Sequence, residues 1–563
     1  MEMQVERRTK VFDFRDDEAI EYAILSHRWI GNTEVNYDEM TDLAKMEKGD
    51  RDEIRERAGY KKILATCLQA KKDGYEWAWV DTCCIDKRSS ADLSEAINSM
   101  YRWYANAEVC YAYLHDVDDS SFPTKKDDEK YSQSNGWPEW FSRGWTLQEM
   151  IAPSDVQFFN NNWQHIGDKK TLERILSNIT RVPPHILKDG LDANRPCIAQ
   201  IMSWAANRTT TRVEDRAYSL MGLLDVNMPM LYGEGWKAFH RLQLEIIRSS
   251  NDQSIFAWGW NSPSVRIGSI LADDPSFFVD CSDMMLLDHD KFIAEFKSKS
   301  PELGSMDADD GVFPVTNRGI QIRMLLHPYP ESKSVTFRAY LPCWNSGCSV
   351  SIDLVLWNSN YYRYLNVQAA DVGDSAKFHQ VFLRYQDTPN HAVTFKVDDG
   401  GLTENGFICS NEYPASEEHS VNTFMLTNAN PFCFRTYSEE KSNCRFRVVF
   451  GQCLGEDWVH LQNSALGTSA WINFVTSISR GPDCALSISD GPFDSLCGKL
   501  CVRHFHPPGS PWVVRTYRIE WERSKIEIRM EVFHDPHFRN GLDEWKVYDV
   551  EVSDFLVTST WIM

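Results

Sequence analysis

The chain has 563 residues, which is too long for one hydrophobic core, so we expect about two to four domains. Its net charge of −22 argues against a general binder of nucleic acid or of an anionic membrane, because both need clustered Lys and Arg. Fifteen cysteines without a CxxC pair, no apolar run of about 18 residues and no signal peptide together predict a cytoplasmic protein without a membrane span.

The first part of the chain alternates short apolar runs with helical patterns, which predicts a parallel sheet covered by helices. The predicted strands are residues 22–26, 77–81, 109–114 and 155–159. Apolar residues at helical spacing predict helices at 63–71, 93–104 and 170–179, and a short helix that Pro153 ends.

Residues 181–563 show other sequence patterns than the first part of the chain. Residues 198–206, 212–224 and 235–248 read as amphipathic helices, whereas 334–341, 348–356, 446–450 and 525–532 are alternating or β-branched. We predict an α/β domain at 1–180, a helical extension of it at 181–260, and a β-rich domain at 261–563. The last is expected to be mainly antiparallel, a sandwich or jelly-roll-like pair of sheets, with a sensor, regulatory or assembly role.

Ligands of open parallel sheets bind beyond the carboxyl ends of the strands. The first predicted strand ends at Ser26-His27-Arg28-Trp29 and the second at Asp81, and the short helix that contains Glu149 begins at the same edge. We therefore expect these side chains to line one pocket. Each has a structural alternative, namely an ion pair for Arg28, a hydrogen-bonded histidine for His27 and a loop cap for Asp81.

Trp145 and Glu149 are four residues apart and lie on one side of a helix if both are helical. An indole beside a carboxylate suits a planar cation such as nicotinamide on its ribose, and Arg143 with the helix N-terminus favours phosphate. In the structural alternative Trp145 belongs to the core, Arg143 forms an ion pair, and Thr146-Leu147-Gln148-Glu149 is a capping box. No spacing completes a four-ligand metal site, so we expect no metal.

Four blocks of sequence resemble the fungal heterokaryon-incompatibility (HET) domain over roughly residues 20–260. They are 22–29 (YAILSHRW), 76–117 (beginning EWAWVDTCCIDK), 141–167 (beginning FSRGWTLQEMIAP) and 211–247 (beginning TRVEDRAYSLMGLL). The HET family is associated with fungal nonself recognition and regulated cell death.

More remotely, the chain resembles the TIR domain, a flavodoxin-like fold whose enzymatic members cleave NAD at the nicotinamide–ribose bond. Those members carry a strand ending in a Ser-Phe-Arg-like turn, an AI-x-x-S helix and a W-C-x-x-E-L helix with the catalytic glutamate. Here Ser26-His27-Arg28, Ala96-Ile97-Asn98-Ser99 and Trp145-Thr146-Leu147-Gln148-Glu149 follow in the same order, with Thr146 and Met150 as departures.

This resemblance implies a TIR-like α/β domain that acts as an NAD glycohydrolase, with Glu149 as the catalytic residue. It implies NAD or a related nucleotide as substrate without a separate cofactor, a homo-oligomer when active, and an incompatibility or immune-receptor protein as partner. The pocket residues would be Ser26, His27, Arg28, Trp29, Asp81, Arg143 and Trp145. The rival hypothesis is a TIR-like signalling and assembly module without catalysis, in which Glu149 is only a helix cap.

Overall fold

A computed structural model describes most of the chain up to residue 386 and, beyond that, mainly the strands. The described residues are 20–191, 195–260, 268–287, 291–292, 313–328, 336–357, 359–363, 368–369, 376–386, 393–398, 403, 406, 408–413, 423–426, 432–439, 444–453, 456–463, 501–505, 514–521, 524–534 and 544–554. The first 19 residues of the predicted α/β domain, and the segments between these ranges in the predicted β-rich domain, lie outside the described residues.

A five-stranded sheet forms the N-terminal part of the structure. Its strands are β1 (Tyr22–His27), β2 (Trp77–Trp79), β3 (Val109–Tyr113), β4 (Val156–Phe159) and β5 (His165–Asp168). Their order is β2-β1-β3-β4-β5, with the first four parallel, and strand order reverses between β1 and β3. This order is that of flavodoxin-like sheets.

The edge strand β5 departs from the expected all-parallel sheet, because it pairs antiparallel to β4. Residues 160–164 join the two strands, and a parallel connection needs a crossover of about a dozen residues or more. The Asn160 side chain organises this turn by accepting hydrogen bonds from the backbone N–H groups of Asn162 and Gln164 at 3.0 and 2.9 Å.

Helices cover both faces of the sheet. They are α1 (Tyr37–Asp42), α2 (Lys48–Glu56), α3 (Ala58–Lys72), α4 (Asp81–Cys84), α5 (Ser90–Asn106), α6 (Thr146–Ile151) and α7 (Glu173–Thr180), with short 3-10 helices at Gly31–Thr33 and Glu139–Ser142. Side chains alternate along β1, so Ala23 and Leu25 pack with α3 whereas Ile24 shares a core with α5 and α6. Ser26 lies on the same face as Ile24, and this places its hydroxyl beside α6.

The helical extension contains α8 (Pro184–Asp189), α9 (Ile198–Ala205), α10 (Asp215–Tyr218), α11 (Met221–Leu224) and α12 (Lys237–Ser249), with a 3-10 helix at Gln253–Phe256. A further 3-10 helix, Pro275–Phe278, lies beyond residue 260. The single helix predicted over 212–224 is two short helices, α10 and α11. Gly222 of α11 lies so close to α5 that a Cβ atom there would be 2.1 Å from the Cβ of Tyr101. Among the described residues, no helix has both the length and the apolar character needed to cross a membrane.

The next strands close into a small barrel. They are β6 (Met284–Leu286), β7 (Ile320–Pro328), β8 (Thr336–Asn345), β9 (Cys348–Trp357), β10 (Asn360–Arg363), β11 (Gln368–Ala369) and β12 (Lys377–Leu383). The ring runs β9-β10-β12-β7-β8 and closes because β8 also pairs with β9. The expected sandwich or jelly roll is therefore wrong for this sheet. The register of the β8–β9 pair shifts between Leu341 and Trp344, and such irregularities let a strand bend between neighbours.

The remaining strands form two further sheets. They are β13 (Val393–Asp398), β14 (Ile408–Tyr413), β15 (Thr423–Leu426), β16 (Phe432–Glu439), β17 (Cys444–Cys453), β18 (Glu456–Asn463), β19 (Cys501–Phe505), β20 (Val514–Trp521), β21 (Ser524–His534) and β22 (Glu544–Asp554). Their orders are β15-β13-β22-β21-β20-β19 and β14-β16-β17-β18. All pairs in these two sheets are antiparallel except β13 with β22, which agrees with the mainly antiparallel prediction.

Candidate functional site

Glu149 lies on α6 against the carboxyl half of β1, and only 5% of its surface is exposed. The Ser26 hydroxyl donates a hydrogen bond to Oε2 of Glu149 at 2.5 Å. Nε1 of Trp140, which is fully buried, donates to the same hydroxyl oxygen at 2.8 Å. The Tyr104 hydroxyl donates to the backbone oxygen of Leu25 at 2.9 Å and also contacts the carboxyl of Glu149. A buried carboxyl with two hydroxyl neighbours therefore lies at the edge where the strand order predicts a ligand.

The capping box that was the structural alternative for Thr146 to Glu149 does not form. Thr146 is the first residue of α6, the N-cap is Trp145, and no side chain caps the helix. The Thr146 hydroxyl instead donates to the backbone oxygens of Trp140 and Arg143 at 2.5 and 3.0 Å. Glu149 points its carboxyl at Ser26 rather than back at its own helix start, because α6 is buried between the sheet and the helical extension.

Two buried cations hold α6 at its ends. Arg208 Nη1 donates to the backbone oxygen of Arg143 at 2.8 Å and to Oγ1 of Thr146 at 3.0 Å. Lys169 Nζ donates to the backbone oxygens of Met150 and Pro153 at the other end. The bond from Lys169 to Met150 satisfies a carbonyl group that the C-terminal end of a six-residue helix leaves open, and the bonds from Arg208 join the start of α6 to the helical extension.

The pKa of Glu149 is raised to about 8, mainly by burial and also by the nearby negative charge of Asp81. Hydrogen bonds from Ser26 and Tyr104 and the positive charge of Arg208 act in the opposite direction. At neutral pH a large part of the population is therefore protonated. A cation placed beside this carboxyl would lower its pKa and favour the carboxylate.

His27 and Trp29 both bind Asp81, the first residue of α4. His27 Nε2 lies 2.8 Å from Oδ1 of Asp81, and Trp29 Nε1 donates to Oδ2 at 2.8 Å. Burial raises the pKa of Asp81, but its contacts with His27, Lys87 and Trp29 outweigh this and lower it overall. Trp29 is 49% exposed, and Lys87 Nζ lies 3.7 Å from the centroid of its ring. An indole ring in contact with a cation therefore lies at the exposed edge of the site.

An ion pair next to His27 was not identified from the sequence. Lys62 Nζ binds Oε1 of Glu34 at 2.6 Å, and both side chains are largely buried. The Nδ1 atom of His27 lies 4.0 Å from the same oxygen, and it has no hydrogen-bond partner among the residues that the structure describes. Burial lowers the pKa of Lys62, and Glu34 opposes this shift.

The two arginines predicted for the pocket, of which Arg143 was expected to favour phosphate, have intramolecular partners. Arg28 Nε lies 2.7 Å from Oε2 of Glu139, and Arg143 Nη2 donates to Oγ1 of Thr211 at 2.9 Å. Burial lowers the pKa of Arg143, and the positive charge of Arg28 lowers it further. The two guanidinium groups are therefore close enough to repel each other, and an anion between them would relieve that repulsion.

Trp145 is half-buried and packs against the main hydrophobic core. Its indole forms a hydrogen bond with Asp215, which also accepts a bond from the Tyr232 hydroxyl at 2.9 Å. The guanidinium of Arg212 lies 4.4 Å from the centroid of the Tyr232 ring. The segment that contains α10 and the loop at 231–235 therefore form a second wall, next to α6.

The structure thus brings Ser26 to Glu149, and His27 and Trp29 to Asp81. Arg28, Arg143 and Trp145 lie around these groups but pair with Glu139, Thr211 and Asp215. Around Glu149, sequence reasoning also missed Trp140, Tyr104 and Arg208. Tyr104 was assigned only to an apolar helix face, and no local pattern marks Trp140 or Arg208. Among the described residues, no group of three or more His, Cys, Asp or Glu is arranged to hold a metal ion.

Comparison with known proteins finds a family match for part of this chain. Residues 22–139 match the family described as Heterokaryon incompatibility protein (HET), and residues 237–269 match a domain of unknown function, DUF8212. The chain is 44% identical over 231 residues to the Vegetative incompatibility protein HET-E-1 of Podospora anserina. That match covers 40% of this chain and 16% of the relative. No solved structure matches the chain. The HET match ends before Glu149, so the role of that residue has to be argued from its surroundings.

Proposed function

We propose that this chain, which carries a HET domain, is an effector of nonself recognition and regulated cell death that hydrolyses NAD at the nicotinamide–ribose bond. The family match and the name of the incompatibility relative support the biological role. One observation carries the enzymatic part: the buried Glu149 carboxyl is bound to Ser26 at the carboxyl edge of a parallel sheet.

A single carboxylate is sufficient for this reaction. Nicotinamide leaves the ribose as a neutral group from a cationic one, so no general acid is needed. The remaining task is to stabilise an oxocarbenium-like ribose, as in glycoside hydrolysis. Glu149 would hold the ribose hydroxyls or offset the developing positive charge, and its surroundings of low polarity strengthen that interaction.

The charges around Glu149 match a dinucleotide. Arg28 and Arg143 offer cations that the diphosphate of NAD would accept in place of their present partners. The cationic nicotinamide ring would lie toward Glu149 and Asp81. Binding of that ring would lower the pKa of Glu149 and so produce the carboxylate that the reaction uses.

The resemblance to enzymatic TIR domains supports the same assignment, and a TIR-like fold is part of the proposal. The strand order β2-β1-β3-β4 is compatible with it. Ser26 and Glu149 occupy the positions that match the Ser-Phe-Arg-like turn and the glutamate of the W-C-x-x-E-L helix. In this chain these two residues are hydrogen-bonded to each other.

Self-association is the proposed route to activity, because Glu149 is almost fully buried in the single chain. Three apolar side chains are exposed beside the second wall of the site: Val213 at 57%, Leu231 at 52% and Trp236 at 43%. They lie together because Glu214 binds the backbone N–H groups of Gly233 and Gly235. We propose that these three side chains belong to the association surface, since large exposed apolar patches mark interaction sites. The β-rich half would act as sensor or assembly surface for an incompatibility or immune-receptor partner.

The burial of Glu149 also favours a second candidate, a signalling and assembly module without catalysis. In that case the carboxyl would serve only to fix α6 to β1 through Ser26. If the chain is an enzyme, removal of the Glu149 carboxyl abolishes NAD hydrolysis. If it is an assembly module, wild type has no such activity to lose.

The test follows NAD loss and nicotinamide release by the purified full chain over a range of protein concentrations. Wild type is compared with Glu149→Gln and with Glu173→Gln, a matched control in which the carboxyl also lies in the first turn of a short helix. We expect turnover by wild type and by Glu173→Gln, and a loss of at least about a hundredfold in Glu149→Gln. Absence of turnover by wild type in every assembled state favours the module.

A further inference from the structure

Arg208, in the segment that follows α9, faces the site from the helical extension. We propose that Arg208 is a positioning residue that fixes the orientation and the charge of Glu149, so that the catalytic unit includes this segment as well as the sheet. The inference rests on the proposed function, because it assigns a role within that same site. It concerns a residue outside the region that matches the HET family.

The segment around Arg208 is joined to the start of α6 by backbone bonds. Thr209 N–H donates to the backbone oxygen of Ser142 at 2.6 Å, and Gly144 N–H donates to that of Thr209 at 2.9 Å. Arg143 and Thr209 form a parallel β-bridge. A β-bridge fixes the two backbones relative to each other. The backbone next to Arg208 is therefore held at a defined position beside the start of α6.

The Arg208 guanidinium is 4% exposed and only partly satisfied. Nε donates to the backbone oxygen of Trp204 at 3.3 Å, and Nη1 donates to Arg143 and Thr146. Nη2 is buried and has no hydrogen-bond partner among the described residues. A buried guanidinium group with an open donor is stabilised by a negative charge nearby. The acid that interacts with this guanidinium is Glu149.

The titratable and charged groups that face Glu149 come from three elements and two loops. Asp81 of α4 favours the neutral carboxyl, and the Tyr104 hydroxyl of α5 favours the carboxylate. Cys110 of β3 contacts its backbone oxygen, with Sγ at 3.7 Å. Arg143 and Arg208 supply positive charge. Arg143 is half-buried and directed toward Thr211, whereas Arg208 is buried and holds the first turn of the helix that carries Glu149. Arg208 is therefore the cation whose removal should change Glu149 most.

The direction in which the pKa of Glu149 changes in an Arg208 variant follows from the positive charge that Arg208 carries. Loss of a nearby positive charge makes the carboxylate less stable, so the pKa of Glu149 rises. The carboxylate is the form that would stabilise the ribose cation, and a variant without the charge needs a higher pH to reach the same rate. A substitution that keeps the charge should restore most of the wild-type behaviour.

The first experiment measures kcat/KM for nicotinamide release against pH in the full chain, for wild type, Arg208→Gln and Arg208→Lys. Arg363→Lys is the matched control, because Arg363 is fully buried and donates to the backbone oxygens of Phe256 and Trp258 in the barrel region. We expect the rise of kcat/KM to move up by about 1 to 3 pH units in Arg208→Gln, by less in Arg208→Lys, and not at all in the control. Equal pH profiles for wild type and Arg208→Gln would overturn the inference.

A second experiment does not depend on turnover. Thermal unfolding is compared for wild type, Glu149→Gln, Arg208→Gln and the double variant at about pH 6 and about pH 9. We expect Arg208→Gln to lower the melting temperature more when Glu149 is present than in the Glu149→Gln background, with the larger difference at the higher pH. Additive effects at both pH values would contradict the coupling, even if NAD turnover is absent and the proposed function fails on its own test.

Discussion

At the scale of single residues, the central feature is a carboxyl group placed where it is costly to ionise. Burial raises the pKa of Glu149 to about 8, whereas a glutamate in an unfolded chain titrates near about 4.3. Between these values the folded chain holds a proton that the unfolded chain releases. The contribution of Glu149 to stability is therefore fully present below about pH 4.3 and is lost as the pH rises toward about 8.

Replacement of Glu149 by Gln should remove this pH dependence of stability. The amide keeps the shape and one acceptor without the charge, so we expect the variant to be more stable than wild type at about pH 8, by about 1 to 4 kcal/mol, and nearly equal to it at about pH 4. Chemical unfolding at the two pH values measures the difference. A variant that is less stable than wild type at the higher pH would show that the carboxylate is well solvated or well paired.

Some of these residues could be predicted from sequence and others could not. Ser26 and Glu149 follow from a general rule, because both lie at the carboxyl edge of the parallel strands. The contacts of Trp140 and Arg208 with them depend on how distant segments pack, since Trp140 lies 114 residues from Ser26 in sequence and Arg208 lies 62 from Thr146. No local pattern encodes such pairs.

At the scale of elements, the site depends on the close approach of two loops at the start of α6. A Cβ atom at Gly144 would lie 2.6 Å from Cγ2 of Thr210 and 3.2 Å from Oγ of Ser219. Only glycine leaves room for the bridge that brings the Arg208 segment to α6.

We therefore expect Gly144→Ala to destabilise the chain by about 1 to 3 kcal/mol and to lower NAD turnover, because the loops have to move apart. Unfolding and nicotinamide release are measured together. Gly49→Ala is the control, since a Cβ atom there meets nothing within 4 Å, and it should be close to neutral. Wild-type stability in Gly144→Ala would show that the loops are not closely packed.

The elements themselves were largely predictable where periodicity is local. The predicted strands at 22–26 and 109–114 and the helix at 93–104 correspond to β1, β3 and α5. The antiparallel direction of β5 and the closure of the barrel through β8 and β9 were not predicted. Both depend on pairing between strands, and alternation along one strand does not specify its neighbour.

At the scale of the whole molecule, the α/β sheet, the helical extension and the barrel share one hydrophobic core. The same cluster of buried side chains includes Ile24 of β1, Trp204 of α9 and Ile322 of β7. The predicted boundaries at 180 and 260 stay predictions. The shared core therefore joins the barrel to the elements that carry Ser26 and Glu149.

Self-association should depend on the exposed apolar surface at Val213, Leu231 and Trp236. We expect Leu231→Asp to weaken concentration-dependent assembly and to lower NAD turnover at a given protein concentration, because the charge would be buried in the contact. Sedimentation and nicotinamide release measure the two effects. Met285→Asp is the control, since Met285 is 60% exposed on β6. Equal losses of assembly and of NAD turnover in both variants would show that this surface has no special role.

The pH dependence of kcat/KM for nicotinamide release tests the central claim most directly, because it reports the ionisation of the free enzyme's essential group. Wild-type kcat/KM should rise about tenfold per pH unit below about pH 8 and level off above it, and Glu149→Gln should show neither the rise nor substantial turnover. A wild-type profile without this rise, or a Glu149→Gln variant that follows the wild-type curve, would contradict the assignment of Glu149 as the catalytic carboxylate.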